Sequence, residues 1–338
     1  MNEAHHDMTP IISFPKIAAK SNTANISTFS QLLDEVQQDN LEQIVRNLSS
    51  FHTRHTESKF LDAAAFWLTE KLQSVCDTEV YVQHFTYTPE NTNARDDKDT
   101  NKNHRQEPPI YNLKNIACQK PGSTNNTIII SAHYDSRMED INNSTAKAPG
   151  ADDNASGVSA LLELARILSD IDLNSSIIFV LFSAEEQGKW GSTYYADYID
   201  EMDVDLDLLI NLDMVGYSPN QTNDLLIEYD YGNVAQDNDK YSYAIARFIK
   251  TIAEKYTNLN PTLGPLGNSD YIPFEAFGYT VIGLHDDGVT KNPNHHKSTD
   301  TSDLLDYKYL TSVTELTLAT ILNIDTLTTS SNTSSTKF

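Results

Sequence analysis

Carboxylate and imidazole side chains follow short apolar runs at several separate places along this chain. The set comprises His133, Asp153, Glu186, Asp213 and His296, with Glu185 and Asp135 beside them. Zinc binds imidazole nitrogen and carboxylate oxygen at about 2.0–2.2 Å. Two zinc ions roughly 3.5–4 Å apart need one shared bridging group and about two further ligands each. Five ligands meet that count, so the set predicts a hydrolytic centre with two zinc ions.

Each of these side chains also has an ordinary structural explanation when it is considered alone. Asp153 precedes a predicted helix and could cap its first turn, and Asp213 could begin a turn after a strand. Adjacent glutamates such as Glu185 and Glu186 are common on solvated loops. Five such residues at the ends of successive elements are improbable as a coincidence, and this favours a functional site.

The two neighbouring glutamates can have different roles. In an extended segment, successive side chains point to opposite sides. One of Glu185 and Glu186 can therefore bind a metal ion while the other accepts a proton from water.

The elements that must position these residues indicate an α/β fold. Between two apolar runs, Ala155 to Leu168 repeats apolar residues at helical spacing, which predicts an amphipathic helix. Strands that are apolar throughout and joined by helices imply a mostly parallel sheet covered on both faces, hence a three-layer α/β sandwich. Ligands of such sheets bind beyond the carboxyl ends of the strands, where the candidate residues lie. The predicted strands are Thr127 to Ser131, Ile177 to Phe182, Leu208 to Leu212 and Val281 to Leu284.

The whole chain is predicted to contain a flank, one catalytic domain and a tail. Residues 1–50 form a predicted helical N-terminal flank, in which Phe29 to Leu48 is compatible with a helix. Residues 51–327 form the predicted catalytic domain, since one α/β enzyme domain often reaches this length. Residues 328–338 are rich in Ser, Thr and Asn without periodicity, which predicts a disordered tail.

The catalytic domain is predicted to open with a helix and a strand. Apolar residues recur at helical spacing from Glu57 to Leu72, whereas Glu79 to Tyr87 alternates like a strand. Thr88 to Pro109 is polar, charged and bounded by proline, which predicts a surface excursion between elements.

Charge and cysteine content exclude several classes of protein. The 48 acidic residues outnumber the 24 Lys and Arg, and the net charge of −24 disfavours binding to nucleic acid or to anionic membrane surfaces. Cys76 and Cys118 are too few for a four-thiolate zinc site, although they could form one disulfide. No apolar run approaches the roughly 18 residues of a membrane span. Met1 is followed by polar residues, so an export signal is either absent or has been removed.

Several motifs together resemble the dizinc aminopeptidases of the bacterial leucyl aminopeptidase type, which are related to the glutaminyl cyclases. The resemblance extends from about Arg54 to Leu322. The matching motifs are His133-Tyr134-Asp135-Ser136, Gly150-Ala151-Asp152-Asp153-Asn154-Ala155-Ser156-Gly157, Phe182-Ser183-Ala184-Glu185-Glu186-Gln187-Gly188 with Gly191-Ser192, Asn211-Leu212-Asp213-Met214, Ser269-Asp270, and His296 before Asp300-Thr301.

The resemblance implies a role for each candidate residue. Asp153 would bridge the two zinc ions, Glu186 and His296 would complete one site, and His133 and Asp213 the other. Glu185 would be the general base, and Asp135 would fix the tautomer of His133. Asp152 is the plausible misassignment for Asp153, and only the spacing from Asn154-Ala155-Ser156-Gly157 separates the two.

The sequence departs from the familiar bacterial members at Leu263 to Asn268, which has neither a cysteine pair nor an obvious tyrosine to stabilise the oxyanion. Tyr271 and the metal ions are the candidates for that task. The loops Tyr217 to Lys240 and Thr262 to Tyr279 are predicted to line the pocket for the substrate side chain. Their aromatic residues suggest an apolar first residue in the substrate.

The expected function is removal of the N-terminal residue from peptides, by a monomer that binds neither nucleic acid nor membrane. The nearest alternative is a glutaminyl cyclase with a single zinc ion. A catalytically inactive, peptidase-like binding module is a second alternative, and a dipeptidase or carboxypeptidase is also possible because ligands do not define which end of a peptide is recognised. The acidic composition favours an extracellular or periplasmic location, and so does the resemblance, because bacterial members of the family are commonly exported. The cytoplasm is not excluded.

Overall fold

Eight strands form one mixed sheet in the computed structural model, which describes residues 29–89, 109–286 and 291–331. The order across the sheet is β1-β2-β4-β3-β5-β8-β6-β7. The four central strands β4, β3, β5 and β8 are parallel, and antiparallel pairs flank them. The strands are β1 (Tyr81–Tyr87), β2 (Tyr111–Lys120), β3 (Thr127–His133), β4 (Ser176–Phe182), β5 (Leu206–Leu212), β6 (Asp224–Tyr229), β7 (Asn260–Pro265) and β8 (Val281–His285).

The central strands are the four that the apolar runs predict. Every residue of β3 and β4 is buried, because both faces of these strands are covered. In the parallel register His133 lies opposite Phe182, and Ser131 opposite Asn211. The carboxyl ends of three strands therefore meet at one edge of the sheet, as predicted.

Helices cover both faces of the sheet, and this confirms the three-layer α/β prediction. Helices α2, α3, α4 and α8 contact one another on one face, whereas α5 and α7 pack together on the other. A separate apolar core lies under each layer. The helices are α1 (Phe29–Leu33), α2 (Gln38–Ser49), α3 (Lys59–Val75), α4 (Gly157–Leu168), α5 (Trp190–Glu201), α6 (Asp239–Tyr256), α7 (Ile272–Ala276) and α8 (Tyr307–Ser331).

Three strands are not among the predicted elements. β2 contains Asn, Lys and Gln among its apolar residues, and β7 contains two prolines and a glycine, so neither has a continuous apolar run. The segments 217–240 and 262–279, expected as loops, are in part regular structure. They include β6, most of β7 and helix α7.

The predicted flank, surface excursion and tail are described only in part. Within residues 1–50, α1 and α2 lie in the stretch predicted to be helical. Helix α8 continues through Ser331, so the first four residues of the predicted tail, 328–331, are helical. Residues 332–338 lie outside the described residues, as does most of the predicted excursion from Thr88 to Pro109.

A disulfide joins Cys76, directly after α3, to Cys118 in β2, with the two Cα atoms 6.6 Å apart. It links the helical layer to the antiparallel edge of the sheet.

Among the described residues, no helix has the length and apolar character that a membrane span requires.

Candidate metal centre

The sequence-predicted site residues come together at the carboxyl edge of the parallel strands. His133 is the last residue of β3, Asp213 directly follows β5, and Glu186 follows β4 by four residues. Asp153 lies at the turn that leads into α4, and His296 lies in the segment after β8.

One group of three side chains is built on strand ends. Nε2 of His133 lies 3.3 Å from Oδ1 of Asp153 and 3.4 Å from Oδ1 of Asp213. Two ligands bound to one tetrahedral zinc ion at about 2.0–2.1 Å are separated by roughly 3.3 Å. The spacing of these atoms therefore fits a shared zinc ion. We call His133 and Asp213 the strand half of the centre, with Asp153 shared.

A second group lies on the other side of Asp153. Its Oδ2 is 3.0 Å from Nε2 of His296 and 3.2 Å from Nε2 of His295. Oε2 of Glu186 is 3.1 Å from Nε2 of His296. We call Glu186, His295 and His296 the loop half, since all three lie outside regular elements. The two carboxylate oxygens of Asp153 thus face one half each, which is the arrangement that a bridging carboxylate requires.

Asp153, rather than Asp152, faces the histidines. The Asp152 carboxylate accepts hydrogen bonds from the backbone N–H of Gly216 at 2.9 Å and from Nδ2 of Asn292 at 2.7 Å. Asp300 accepts the backbone N–H groups of Asp152 and Asp153 at 3.0 and 3.1 Å. These bonds fix the turn so that neighbouring aspartates point in different directions.

Asp135 lies between His133 and the segment that carries the two glutamates. Its Oδ1 is 3.5 Å from Nδ1 of His133. It also accepts the backbone N–H groups of Glu185 and Glu186, both at 3.2 Å. One carboxylate therefore positions both the imidazole and the glutamate segment.

One carboxylate oxygen at the centre is buried without a hydrogen-bond partner, namely Oε1 of Glu186. Together with the two groups of imidazole and carboxylate ligands that meet at Asp153, it is consistent with a two-cation site.

Comparison with known proteins places the chain in a family of peptidases. A model of peptidase family M28 matches residues 115–321, more than half of the chain. The chain belongs to peptidase family M28. Leucine aminopeptidase 1 of Coccidioides posadasii (strain C735) is 28% identical over 318 residues, which cover 91% of this chain and 75% of that protein. A probable zinc metalloprotease of Pyrenophora teres f. teres (strain 0-1) is 30% identical over 204 residues.

That second match covers 55% of this chain and 38% of the relative, so the chain spans well under half of that protein. Among solved structures, a leucine aminopeptidase precursor from Bacteroides thetaiotaomicron has a TM-score of 0.69 at 22% identity, covering 85% of this chain and 97% of that one. A glutaminyl cyclase from the same bacterium has a TM-score of 0.69 at 21% identity, covering 85% and 98%. The predicted family resemblance and fold are confirmed.

A hydrogen-bonded chain supports the strand half of this M28 centre from within the sheet. Oγ of Ser131 donates to Oδ1 of Asn211 at 2.7 Å, and Nδ2 of Asn211 donates to Oγ of Ser269 at 2.8 Å. Oγ of Ser269 then donates to Oδ2 of Asp213 at 2.5 Å. Asp213 is thereby oriented with Oδ1 toward His133.

Arg54 holds the backbone beneath the centre. Its buried guanidinium donates to four main-chain carbonyl oxygens, those of Tyr134, Leu48, Pro149 and Gly150. Burial lowers the pKa of Arg54 to about 10, and the negative charges of Asp300, Asp135, Asp153 and Glu186 oppose that shift. The side chain therefore fixes the loop before Asp153 and balances part of the acidic charge around it.

The electrostatics of the centre favour a charged His133 imidazole beside the ionised carboxylates of Asp153 and Asp213. Burial lowers the pKa of His133, but Asp213, Asp135 and Asp153 outweigh this effect and raise it well above its usual value. Burial raises the pKa of Asp153, but hydrogen bonds from the histidines bring it well below the usual range. Each carboxylate oxygen that faces an imidazole is thus in a strongly polarised environment.

The surroundings of Glu185 shift the pKa of its carboxyl group. Burial raises its pKa well above the usual value, and the charges of Asp270, Glu186 and Asp213 add to the effect, while His133 opposes it. Bound cations lower the pKa of nearby carboxyl groups. A glutamate whose proton affinity is raised by burial can accept a proton near neutral pH.

Tyr271 is committed to another partner. Its hydroxyl group is buried and donates to Oε2 of Glu228 at 2.8 Å. The structure therefore offers no free Tyr271 hydroxyl for an oxyanion.

Three residues that contact the centre were not predicted from the sequence. His295 lies beside His296, with ring centroids 3.6 Å apart. Arg137 donates from Nε to Oε2 of Glu186 at 2.8 Å, and Arg54 lies beneath the Asp153 turn. The adjacent pair of histidines was the available signal for His295. Arg54 and Arg137 gave none, because single arginines are common.

Proposed function

We propose that this M28 chain is a two-zinc aminopeptidase. The observation that carries the proposal is the position of Asp153, whose two carboxylate oxygens each face an imidazole, at 3.3 Å for His133 and 3.0 Å for His296. His133 and Asp213 would hold one ion, Glu186 and His296 the other, and Asp153 both. Relatives described as leucine aminopeptidase and as zinc metalloprotease support this proposal.

Zinc bound at the centre would polarise the scissile carbonyl group and lower the pKa of water. Glu185 takes a proton from the attacking water and delivers it to the leaving amine. Asp135 holds the backbone of Glu185 and Glu186, so that the base stays aligned with the ligands. His133 is kept in place by the same carboxylate at 3.5 Å.

The substrate is a peptide with a free N-terminus. The rim of the centre is acidic, with Glu185, Asp213 and Asp270 close enough to influence one another. A positively charged or neutral amine is stabilised there by carboxylates or by a metal ion, whereas an acylated amine offers neither interaction. An aminopeptidase specificity follows from this charge.

The test compares leucine p-nitroanilide with its N-acetyl form on the zinc-loaded protein. We expect the free amine to be hydrolysed at least ~100-fold faster, equivalent to about 2.7 kcal/mol of transition-state stabilisation. Asp237→Asn removes one exposed acidic charge outside the rim. This control for net charge should keep the same preference for the free amine. Equal rates on both substrates would refute the aminopeptidase proposal but not the metallohydrolase, and faster cleavage of a free C-terminal residue would indicate a carboxypeptidase.

Metal content separates this proposal from the cyclase and binding-module alternatives. A glutaminyl cyclase uses one zinc ion, so saturation near one ion per chain, with cyclisation of a glutaminyl peptide, would favour it. Two ions per chain without any hydrolysis would favour a binding module.

We further propose an oxidising compartment outside the cytoplasm, because disulfides such as Cys76–Cys118 persist there.

A further inference from the structure

His295 is the loop-half residue to which the proposed function assigns no role. Its Nε2 lies 3.2 Å from Oδ2 of Asp153, and Nε2 of His296 lies 3.0 Å from the same oxygen. The two imidazole rings are neighbours, with centroids 3.6 Å apart. One atom from each of Asp153, His295 and His296 can therefore serve as a metal ligand, and these atoms lie within 4.8 Å of one another.

The separations fit ligand atoms that share one zinc ion. Two ligands of a tetrahedral zinc ion lie roughly 3.3 Å apart. The distances from Oδ2 of Asp153 to the two imidazole nitrogens are close to this value. In the strand half, Nε2 of His133 lies 3.3 Å from Asp153 and 3.4 Å from Asp213. His295 therefore meets the same distance criterion as the strand-half ligands.

The backbone turns the two neighbouring imidazoles to the same side. In an extended segment, successive side chains would point apart. Residues 293–296 instead form a turn, in which the N–H of His295 donates to the carbonyl oxygen of Asn292 at 3.3 Å. His296 has a φ of 56°, a left-handed conformation that residues with a Cβ atom rarely adopt and that recurs where ligands are clamped. The turn thereby brings both rings toward Asp153.

Hydrogen bonds fasten this turn at both ends to the segment that carries Asp153. Before the turn, Nδ2 of Asn292 donates to Oδ2 of Asp152 at 2.7 Å. After the turn, the carboxylate of Asp300 accepts the backbone N–H groups of Asp152 and Asp153 at 3.0 and 3.1 Å. The backbone that carries the two imidazoles is thus fixed relative to the bridging carboxylate.

Glu186 gives the loop half a reason to use a further ligand. Its Oε2 accepts a hydrogen bond from Nε of Arg137 at 2.8 Å. Because the positive guanidinium attracts this oxygen, the oxygen is a weaker ligand for a metal ion. A neutral imidazole supplies another ligand atom without adding negative charge to an acidic site.

We propose that His295 is a fourth protein ligand of the loop-half zinc ion, beside Asp153, Glu186 and His296. The proposal rests on the two-zinc centre of the proposed function. Four protein ligands close a tetrahedral zinc site, whereas three leave a position for water or substrate. The strand half, with three ligands, keeps that open position. His295 is 45% exposed and lies in a turn, so it adds affinity without giving the loop half the rigidity of the strand half.

The test uses two variants of the full-length protein in a titration with a competing zinc chelator. His295→Ala removes the imidazole. His295→Gln keeps a side chain that can donate a hydrogen bond to Asp153 but is not one of the usual zinc ligands. We expect both variants to lose at least ~10-fold in zinc affinity at the loop half, since even the loss of an outer partner costs 10–100-fold. The strand half should be unchanged.

Two further variants serve as references in the same titration. His296→Ala identifies the dissociation constant that belongs to the loop half. His84→Gln changes an exposed histidine in the edge strand β1 and should keep both zinc affinities. A loss in His84→Gln as large as that in His295→Gln would overturn the proposal, because the effect would not depend on a position beside Asp153.

NMR of isotope-labelled histidine side chains identifies the ligand directly. Such spectra separate a ring nitrogen that binds zinc from one that carries a proton. We expect one zinc-bound nitrogen of the wild-type protein to be missing from the spectrum of His295→Gln. A His295 whose Nε2 keeps its proton in the zinc-loaded protein would contradict direct ligation.

Other outcomes of the titration would also overturn the proposal. If His295→Gln retains the affinity that His295→Ala loses, His295 only donates a hydrogen bond that orients Asp153. Unchanged loop-half affinity in both variants would refute this role of His295 and leave the two-zinc centre standing. A loss in both halves would show that His295 acts through the shared Asp153. A wild-type protein that binds only one zinc ion would refute the two-zinc centre itself, and the proposal with it.

Discussion

The two halves of the metal centre are built differently. In the strand half, His133 is 1% exposed and ends β3, whereas Asp213 is 15% exposed and accepts a hydrogen bond from the Ser269 hydroxyl group. In the loop half, His295 is 45% exposed and His296 is 16% exposed, and Glu186 also pairs with Arg137. His296 has a φ of 56°, a left-handed conformation that is strained for a residue with a Cβ atom.

A centre built in this way combines one preorganised zinc site with one that exchanges its ion more readily. Ligands fixed by strands and by second hydrogen bonds lose little freedom on metal binding, whereas loop ligands must be ordered by the ion. We therefore expect the strand half to bind zinc more tightly. The loop half should lose its ion first during dialysis against a chelator.

The largest effect is expected from changing the proposed general base, Glu185. This change separates the chemical step from metal binding in both halves, because Glu185 is not a proposed zinc ligand. Glu185→Gln keeps the size of the side chain but removes its proton affinity, so kcat should fall by about 10²–10⁴-fold. Zinc content should stay at two ions per chain, as measured by metal analysis. Glu186→Gln is the matched control and should lose zinc from the loop half. The opposite pattern would reverse the two roles.

The second prediction tests directly whether the two halves differ in zinc affinity. His133→Ala should weaken zinc binding at the strand half by at least ~100-fold, since even the loss of an outer partner costs 10–100-fold. His296→Ala should weaken only the loop half, and His295 can partly replace it because its Nε2 also reaches Asp153. Titration with a competing zinc chelator measures both dissociation constants. Equal losses in the two variants would contradict the difference between the halves.

The positions of the strand-half residues followed more directly from the sequence than those of the loop-half residues. β3 and β5 are mostly apolar, and ligands bind beyond the carboxyl ends of parallel strands, so His133 and Asp213 were candidates. His295 was missed because adjacent residues in extended chain point apart, whereas the left-handed His296 breaks that alternation.

The support beneath the centre could not be predicted for a different reason. The partners of Arg54 are main-chain carbonyl groups up to 96 residues away, and carbonyl groups leave no signature in the side-chain sequence. β2 and β7 were missed because polar residues and prolines interrupt them.

A smaller effect is expected from the hydroxyl group that orients Asp213. Ser269→Ala removes the hydrogen bond to Oδ2 and leaves the ligand itself, so zinc affinity of the strand half should fall by about 10-fold. The loop half should be unaffected in the same chelator titration. Ser123→Ala, whose hydroxyl group bonds Asn174 at the surface, is the control. A loss confined to the loop half would show that the support acts elsewhere.

The smallest effect is expected at Arg137, where two physical effects oppose each other. Its positive charge repels an incoming zinc ion, whereas its hydrogen bond holds Oε2 of Glu186 and leaves Oε1 without a partner. Only 19% of the Arg137 side chain is exposed, so solvent screens its charge only in part. The ion pair with Glu186 already offsets that charge, and we therefore expect orientation to outweigh repulsion. Arg137→Met should therefore weaken zinc binding at the loop half by about 3- to 10-fold.

Arg137→Lys separates the two effects, because it keeps the charge but lacks the planar fork that holds a carboxylate. If orientation dominates, its zinc affinity should fall nearly as far as that of Arg137→Met, and added salt should change both variants little. If repulsion dominates, Arg137→Met should instead bind zinc more tightly than the wild type. The loop half would then be weakened by charge rather than by mobility, and the explanation of why it differs from the strand half would have to change.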